Sequence, residues 1–404
     1  MRARGRCGVG RGRALVLVGL GACSAPGAWA QMAPFAVGAT LAMEHQDNLF
    51  RASPGAEVGD WRTTATVQGS FDQEIGRQRV KATAELSANR YRNTDRLNNE
   101  GYQLEAQWLW STVGLWSGVL GADLSSRLYD YGLEGETPTD RRNLERTERA
   151  YLRASVGGVT TLTFDGSLDV LKRSYSLASF APNELEQATA SAGVSYRPNP
   201  DLRLGLTASY TDGSQPDYTP AEADEFTRAD VRLRMQWQVT GASGVDVDLG
   251  YSADRHTLQS DRSFVNGGVR WNWKPTGRLN VSTGLRRDGS NSALAFQDTD
   301  ARIVGTSLIT ALDLTADWEV TAKIKASGRL VRETRRFSSD VVGVGSSGSN
   351  RVWSAQLGLD YAITRNLSLG CDVSQQQLRT EGTAGASRPF DLTTVGCSAQ
   401  FWLR

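Results

Sequence analysis

Arginine and aspartate at alternate positions are the side chains with most chemistry to offer in this chain. Arg149 and Arg153, the trio Arg228, Arg232 and Arg234, then Arg270, Arg286, Lys323, Lys325 and Arg329 recur among Thr, Ser, Gln and Asn. Asp165, Asp169, Asp246, Asp248 and Asp254 are interspersed with them. A guanidinium presents a rigid fork of N–H donors that fits a carboxylate at two points, so a series of them could act as a rail for an anionic chain. The same charges can instead pair across neighbouring strands, Arg232 and Arg234 against Asp246 and Asp248, and serve structure alone. Both readings stand at this level. Catalytic chemistry has thinner support. His45 and His256 are the only histidines, and Asp254, His256 and Ser260 offer suggestive spacing and nothing more, so no catalytic residue is assigned and the chain reads as a non-enzyme. No cluster of Cys, His and acids has metal-ligand spacing. The Gly-rich run 342–349 lacks the Lys-Ser/Thr pair and following helix of a phosphate loop, and reads as a flexible linker. Neither metal nor cofactor is expected.

The elements that must position these residues follow from the hydrophobic period. From Phe35 to the C-terminus apolar residues alternate with polar ones, the signature of a half-buried strand. Val80, Ala82, Ala84, Leu86 and Ala88 alternate with Lys81, Thr83, Glu85, Ser87 and Asn89. Val231, Leu233, Met235 and Trp237 alternate with Arg232, Arg234 and Gln236. Eighteen such segments are predicted, at 33–46, 61–73, 79–92, 101–112, 115–131, 146–157, 160–175, 186–196, 202–212, 226–239, 244–256, 263–273, 279–287, 301–315, 319–335, 351–363, 367–379 and 390–403. Short turns alternate with longer polar loops, and aromatics such as Trp108, Trp116, Trp237, Trp271, Trp318, Tyr361, Phe401 and Trp402 fall near the short turns. Soluble sandwiches also alternate, but their strands usually run 5–6 residues, whereas a tilted membrane strand needs about 9–11. The predicted fold is therefore all-β: a transmembrane antiparallel up-and-down barrel of about 18 strands, with 16 as the fallback, both chain ends on the short-turn side.

Composition agrees with an exported protein. The 404 residues carry 45 Lys+Arg against 44 Asp+Glu, a balance that argues against a nucleic-acid partner. Mean hydropathy of −0.39 excludes a bundle of membrane helices. Residues 1–30 read as a signal peptide: five arginines, an apolar run from Ala14 to Cys23, then Ala28-Trp29-Ala30, which leaves 31–404 as the barrel. A rival reading takes Leu20–Cys23 as a lipidation site. Losing five arginines turns the balance to 40 basic against 44 acidic residues. Cys371 and Cys397 remain, on the apolar phase of the last two strands and opposed if that hairpin is symmetric about Ala384. A disulfide and a pair of free, small apolar residues both fit.

The stretch Phe35–Arg51, with His45-Gln-Asp-Asn-Leu-Phe-Arg51, resembles the opening of the β-barrel porin 2 family, and within it the EpsL-type outer-membrane proteins of exopolysaccharide clusters linked to exosortase systems. Ala88–Asn93, Leu97–Tyr102, Thr321–Ile324 and Arg332–Phe337 are similar as well. The resemblance implies the outer membrane of a Gram-negative bacterium, export of an extracellular polysaccharide, and periplasmic or inner-membrane synthesis and export machinery as partners. It supplies no catalytic residues. The resulting expectation is a passive polysaccharide conduit with a polar lumen containing arginine, in contact with outer-membrane lipid. The alternatives are a general or anion-preferring diffusion porin and a plugged structural or adhesive barrel. A porin is expected to need a long loop folded inward, and loops of about 15 residues weigh slightly toward the conduit. No plug domain fits before the first strand.

Overall fold

Alternating side chains give a strand two unlike faces, and a sheet that must bury neither edge in lipid can do so only by closing. A computed structural model describes residues 34–129, 141–158, 160–218, 222–258, 261–289, 307–341, 344–382 and 389–403; the expected signal peptide lies outside them. The chain forms β1 (Phe35–Gln46), β2 (Asp60–Ile75), β3 (Gln78–Tyr91), β4 (Asn99–Ser111), β5 (Trp116–Leu128) and β6 (Leu144–Val156). Next come β7 (Leu162–Tyr175), β8 (Leu185–Asn199), β9 (Leu202–Gln215), β10 (Asp224–Thr240), β11 (Ser243–His256) and β12 (Arg262–Thr276). The last six are β13 (Leu279–Gly289), β14 (Ser307–Glu319), β15 (Ile324–Val341), β16 (Val344–Ala362), β17 (Leu367–Gly382) and β18 (Phe390–Leu403). Every strand pairs antiparallel with its sequence neighbours, and β1 also pairs with β18, from Val37 opposite Leu403 to Gln46 opposite Thr394. The barrel is closed with 18 strands.

The two faces sort as the period requires. Val67, Leu86, Leu168, Leu206, Leu233, Leu249, Leu285, Leu312, Leu357 and Val395 are exposed on the outer surface. Trp108, Trp116, Tyr196, Trp237, Trp271, Trp273, Trp318, Tyr361 and Phe401 ring its short-turn end; Trp61, Tyr210, Tyr251 and Trp353 mark a second level toward the long loops. Two aromatic levels bounding an apolar band about 25 Å tall are what a bilayer selects. Trp402 is an exception: it lies opposite Gly38 on the inward phase, where a Cβ at residue 38 would come 2.8 Å from its ring.

Two boundaries depart from the sequence reading. The turn expected at Thr315–Trp318 lies at 320–323, because Ala316 and Trp318 continue the outward phase and the Thr321 hydroxyl accepts the amides of Lys323 (3.1 Å) and Ile324 (3.0 Å). Thr364 closes the β16–β17 turn in the same way, on Asn366 and Leu367. From Val344 on, the Gly/Ser run read as a linker is strand instead (342 and 343 lie outside the described residues): β15 and β16 stay in register up to Val341 opposite Val344, since small residues impose no steric bar on a ladder held by backbone hydrogen bonds.

Most of the buried apolar side chains sit toward the long-loop end. Leu49 and Leu97, from the loops after β1 and β3, pack with Tyr91; Phe180, from a 3-10 turn at Ala178–Asn183, packs with Tyr129, its ring tilted against that of Tyr175 at 5.9 Å. Val352, Leu378, Phe390 and Leu392 form a third cluster. Several loops of the long-loop end thus pack on the inner wall, where a single long loop was expected to be needed. Cys371 and Cys397 face each other in register and are joined as a disulfide.

Candidate functional site: the lumenal wall

Lumenal chemistry is set by the phase that opposes the lipid-facing one. On β10 that phase carries Asp224, Phe226, Arg228, Asp230, Arg232, Arg234 and Gln236, and on β11 Asp246, Asp248, Gly250, Ser252, Asp254 and His256. Register decides which charges meet. Arg228 lies opposite Asp254, and its Nε and Nη2 donate to the two carboxylate oxygens at 2.5 Å; both side chains are almost wholly buried. Arg232 reaches Asp248 at 3.4 Å. Arg234 lies directly opposite Asp248 but makes no ion pair among the described residues, and Asp246 faces Gln236 and accepts from Asn272 at 3.2 Å. The cross-strand pairing expected from sequence therefore holds for part of the set.

A recess of about 300 Å³ opens on the inner face of β10–β14. Its wall consists of two hydrogen-bonded rows. One runs Arg234, Asp248, Gly268, Arg286; the other runs Gln236, Asp246, Arg270, Gly284, Asp313. The glycines make the recess: at Gly284 a Cβ would come 2.7 Å from Asp313 Oδ1, so the Asp313 carboxylate lies across the bare backbone. Arg270 approaches that carboxylate only to 3.9 Å. Arg286 is flanked in register by Gly268 and Ala311. Arg234, Arg270 and Arg286 thus line one concavity in which Arg270 holds Asp313 only loosely. Such an arrangement can exchange an internal carboxylate for one arriving from solution.

A second cluster lines β5–β7. Arg149 donates to Asp169 at 2.6–2.8 Å and lies 3.8 Å from Asp123. The guanidinium groups of Arg149 and Arg153 sit 5.0 and 4.9 Å from the Tyr151 ring centroid, so the ring is held between two cations. This packing needs Gly121, where a Cβ would come 2.4 Å from Tyr151 Cζ. Arg153 makes no ion pair among the described residues.

The remaining sequence candidates fare differently. Lys323 is not on the wall: the shifted turn puts it between β14 and β15, its Nζ 3.4 Å from the Ile363 carbonyl. Lys325 is exposed at the start of β15, 3.8 Å from Glu319. Arg329 is on the inward phase, with its Nε buried and unbonded. His256 does not join Asp254. Its Nδ1 lies 2.9 Å from Asp224, its ring stacks on Phe226, and both it and Asp224 are buried. Tyr218, in the loop between β9 and β10, has its hydroxyl pushed up by burial and then by Asp224. Ser260 lies outside the described residues. Arg203 and Asp313 were missed: Arg203 bonds Ser195 at 3.0 Å and lies 3.9 Å from Asp165. Alternation in Leu202–Leu204 and Leu312–Leu314 already puts both on the polar phase.

From β16 through the β18–β1 seam to β5, further acids face the lumen. Glu44, Glu85, Glu105, Asp123, Asp360 and Asp372 project inward from β1, β3, β4, β5, β16 and β17, and Arg62, bonded to Glu44 at 3.0 Å, is one of few cations among them.

Comparison with known proteins places this architecture. The structure of OccK2 (OpdF) from Pseudomonas aeruginosa in complex with glucuronate superposes with a TM-score of 0.52 at 14% identity, over 92% of this chain and 99% of that one. A second OccK2 structure gives 0.52 at 14%, over 91% and 98%. OpdO from the same organism gives 0.50 at 15% identity, over 91% and 96%. At this identity the likeness is one of fold. No family model matches the chain, the β-barrel porin 2 family of the sequence resemblance included, and no curated relative matches. The chain is an outer-membrane β-barrel with porin architecture.

Proposed function

We propose that this barrel is a passive diffusion channel for small polar solutes, with a preference for small carboxylates that dwell at the recess of β10–β14. The observation that carries the reading is that Arg234, Arg270 and Arg286 line that recess, where Arg270 holds Asp313 only loosely. Eighteen strands leave room for an aqueous lumen, and paired and unpaired charges along it select by sign and geometry. The loops that pack on the inner wall through Leu49, Leu97 and Phe180 favour small solutes over a polymer. The glucuronate complex of the OccK2 neighbour makes a uronate a rational first probe.

The test is single-channel recording of the refolded chain in planar bilayers, with glucuronate, glucose and an acidic polysaccharide added in turn. Brief glucuronate-dependent closures, absent with glucose and weakened about tenfold in an R234Q/R270Q/R286Q variant, are expected; roughly 1.4 kcal/mol separates such states. Long closures produced only by the polysaccharide would instead favour the conduit for extracellular polysaccharide, with its synthesis and export machinery as partners. Indifference to all three would defeat the carboxylate preference.

A further inference from the structure

The outward face over the upper ends of β13–β17 carries five exposed arginines. Leu285, Leu312, Leu330, Trp353 and Leu357 fix the lipid-facing phase there. On the same phase, one row round the barrel runs Arg287, Thr310, Thr334, Arg351, Arg379. Arg332 and Arg336 stand two residues to either side of Thr334, so both lie diagonal to Arg351. Opposed residues are about 4.5–5.5 Å apart at Cα and diagonal ones about 7–8 Å, so these cations crowd one small area. Arg351 is bonded to Glu381 and Arg379 to Asp391, each at 2.9 Å. Arg287, Arg332 and Arg336 make no ion pair among the described residues.

This excess is local. Elsewhere on the same outer level cations stand singly or are matched: Arg90 with Glu100 at 2.6 Å, Arg146 with Glu148 at 2.8 Å and Lys172 with Glu186 at 2.5 Å. Like charges placed side by side on a sheet disfavour folding, so an unmatched group of arginines calls for an anion from outside the chain. Its height names the source. Arg332 lies directly opposite Leu312 and Trp353, at the upper aromatic level, where acyl chains give way to headgroups. We infer that this surface binds the phosphates of a phosphorylated glycolipid in the outer leaflet, its acyl chains lying along Leu312, Leu330 and Leu357. Guanidinium forks suit phosphate oxygens, and basic patches at headgroup height recognise phosphorylated lipids.

The inference can be tested on the refolded full chain in nonionic detergent by native mass spectrometry, with lipid A bearing two phosphates and with its dephosphorylated form. Wild type is expected to retain the phosphorylated lipid at least tenfold better than the dephosphorylated one. R332Q/R336Q/R351Q should lose that preference and R332K/R336K/R351K should keep most of it. An R90Q/K172Q control on the far side should leave it unchanged. Channel conductance should stay the same throughout, because none of these residues faces the lumen. The two lipids tested on wild type decide the matter even if the glutamine variant fails to fold. Equal retention of both lipids, wild-type retention by the glutamine variant, or copies of the chain cross-linked through this patch in place of lipid would each overturn it.

Discussion

At the scale of single residues, the stretch His45–Arg51 acts as the seam of the barrel. Asp47 donates its amide to the Thr393 carbonyl at 3.1 Å, and its carboxylate accepts the Thr393 amide at 2.7 Å. Asn48, fully buried, donates to the carbonyls of Ala52 and Asp391 at 2.8 and 2.9 Å and accepts the Ala52 amide. Replacing a buried group of this kind leaves partners unsatisfied, at about 1–3 kcal/mol. Asn48→Ala should therefore lower the urea midpoint of the lipid-embedded barrel without changing conductance. The Arg228–Asp254 pair is a sterner case. Both partners are buried, so removing one strands a charge, whereas replacing both with apolar groups need not. Asp254→Ala should cost about 3–5 kcal/mol in equilibrium unfolding, and R228M/D254L should recover most of it. Equal losses in the two variants would mean that the pair is worth more than its desolvation.

Among the elements, the β17–β18 hairpin carries the firmest constraint. The Cys371–Cys397 disulfide closes a segment of 26 residues, which by chain entropy stabilises by roughly 3 kcal/mol. C371S/C397S should fold to the same heat-modifiable form yet unfold at lower urea, and reductant should destabilise wild type but not the variant. Turns form a second class of element. Thr321 and Thr364 use the same hydroxyl-to-amide geometry, so Thr321→Ala should loosen the β14–β15 turn, read as faster amide exchange at Lys323 and Ile324.

For the whole molecule, the decisive property is which face meets lipid. Leu357 is 65% exposed on the outer surface, and its neighbour Gln356 points inward. Leu357→Arg should destabilise the membrane-embedded barrel by about 2–4 kcal/mol, and Gln356→Arg should leave stability nearly unchanged while shifting ion selectivity toward anions. The reverse ranking would invert the assignment of the faces. The wall of β10–β14, where arginine and aspartate intermingle, and the carboxylates of β1, β3, β4 and β5 across from it belong to this scale too, since only closure sets them opposite each other.

Alternation by itself determined the all-β class, the eighteen strands, the sorting of Arg149, Arg228 and Arg232 to the polar phase and of both mature-chain cysteines to the apolar one, because a strand's period of two is a local property of the chain. Near 320 that signal misled. Thr315-Ala-Asp-Trp318 has turn composition, but the outward ladder of Ala316 and Trp318 continued past it and carried Lys323 off the wall. Tertiary structure alone decided the rest. Whether Arg234 meets Asp248 or stands beside it, whether Arg286 is flanked by Gly268, and whether His256 finds Asp224 all depend on register between strands and on side-chain reach. The loops that pack on the inner wall left only a faint trace, in Leu49, Leu97 and Phe180 among polar neighbours. Their destinations, Tyr91 and Tyr129, become visible only once the sheet has closed, since a closed barrel brings together inner-wall residues that no local pattern connects.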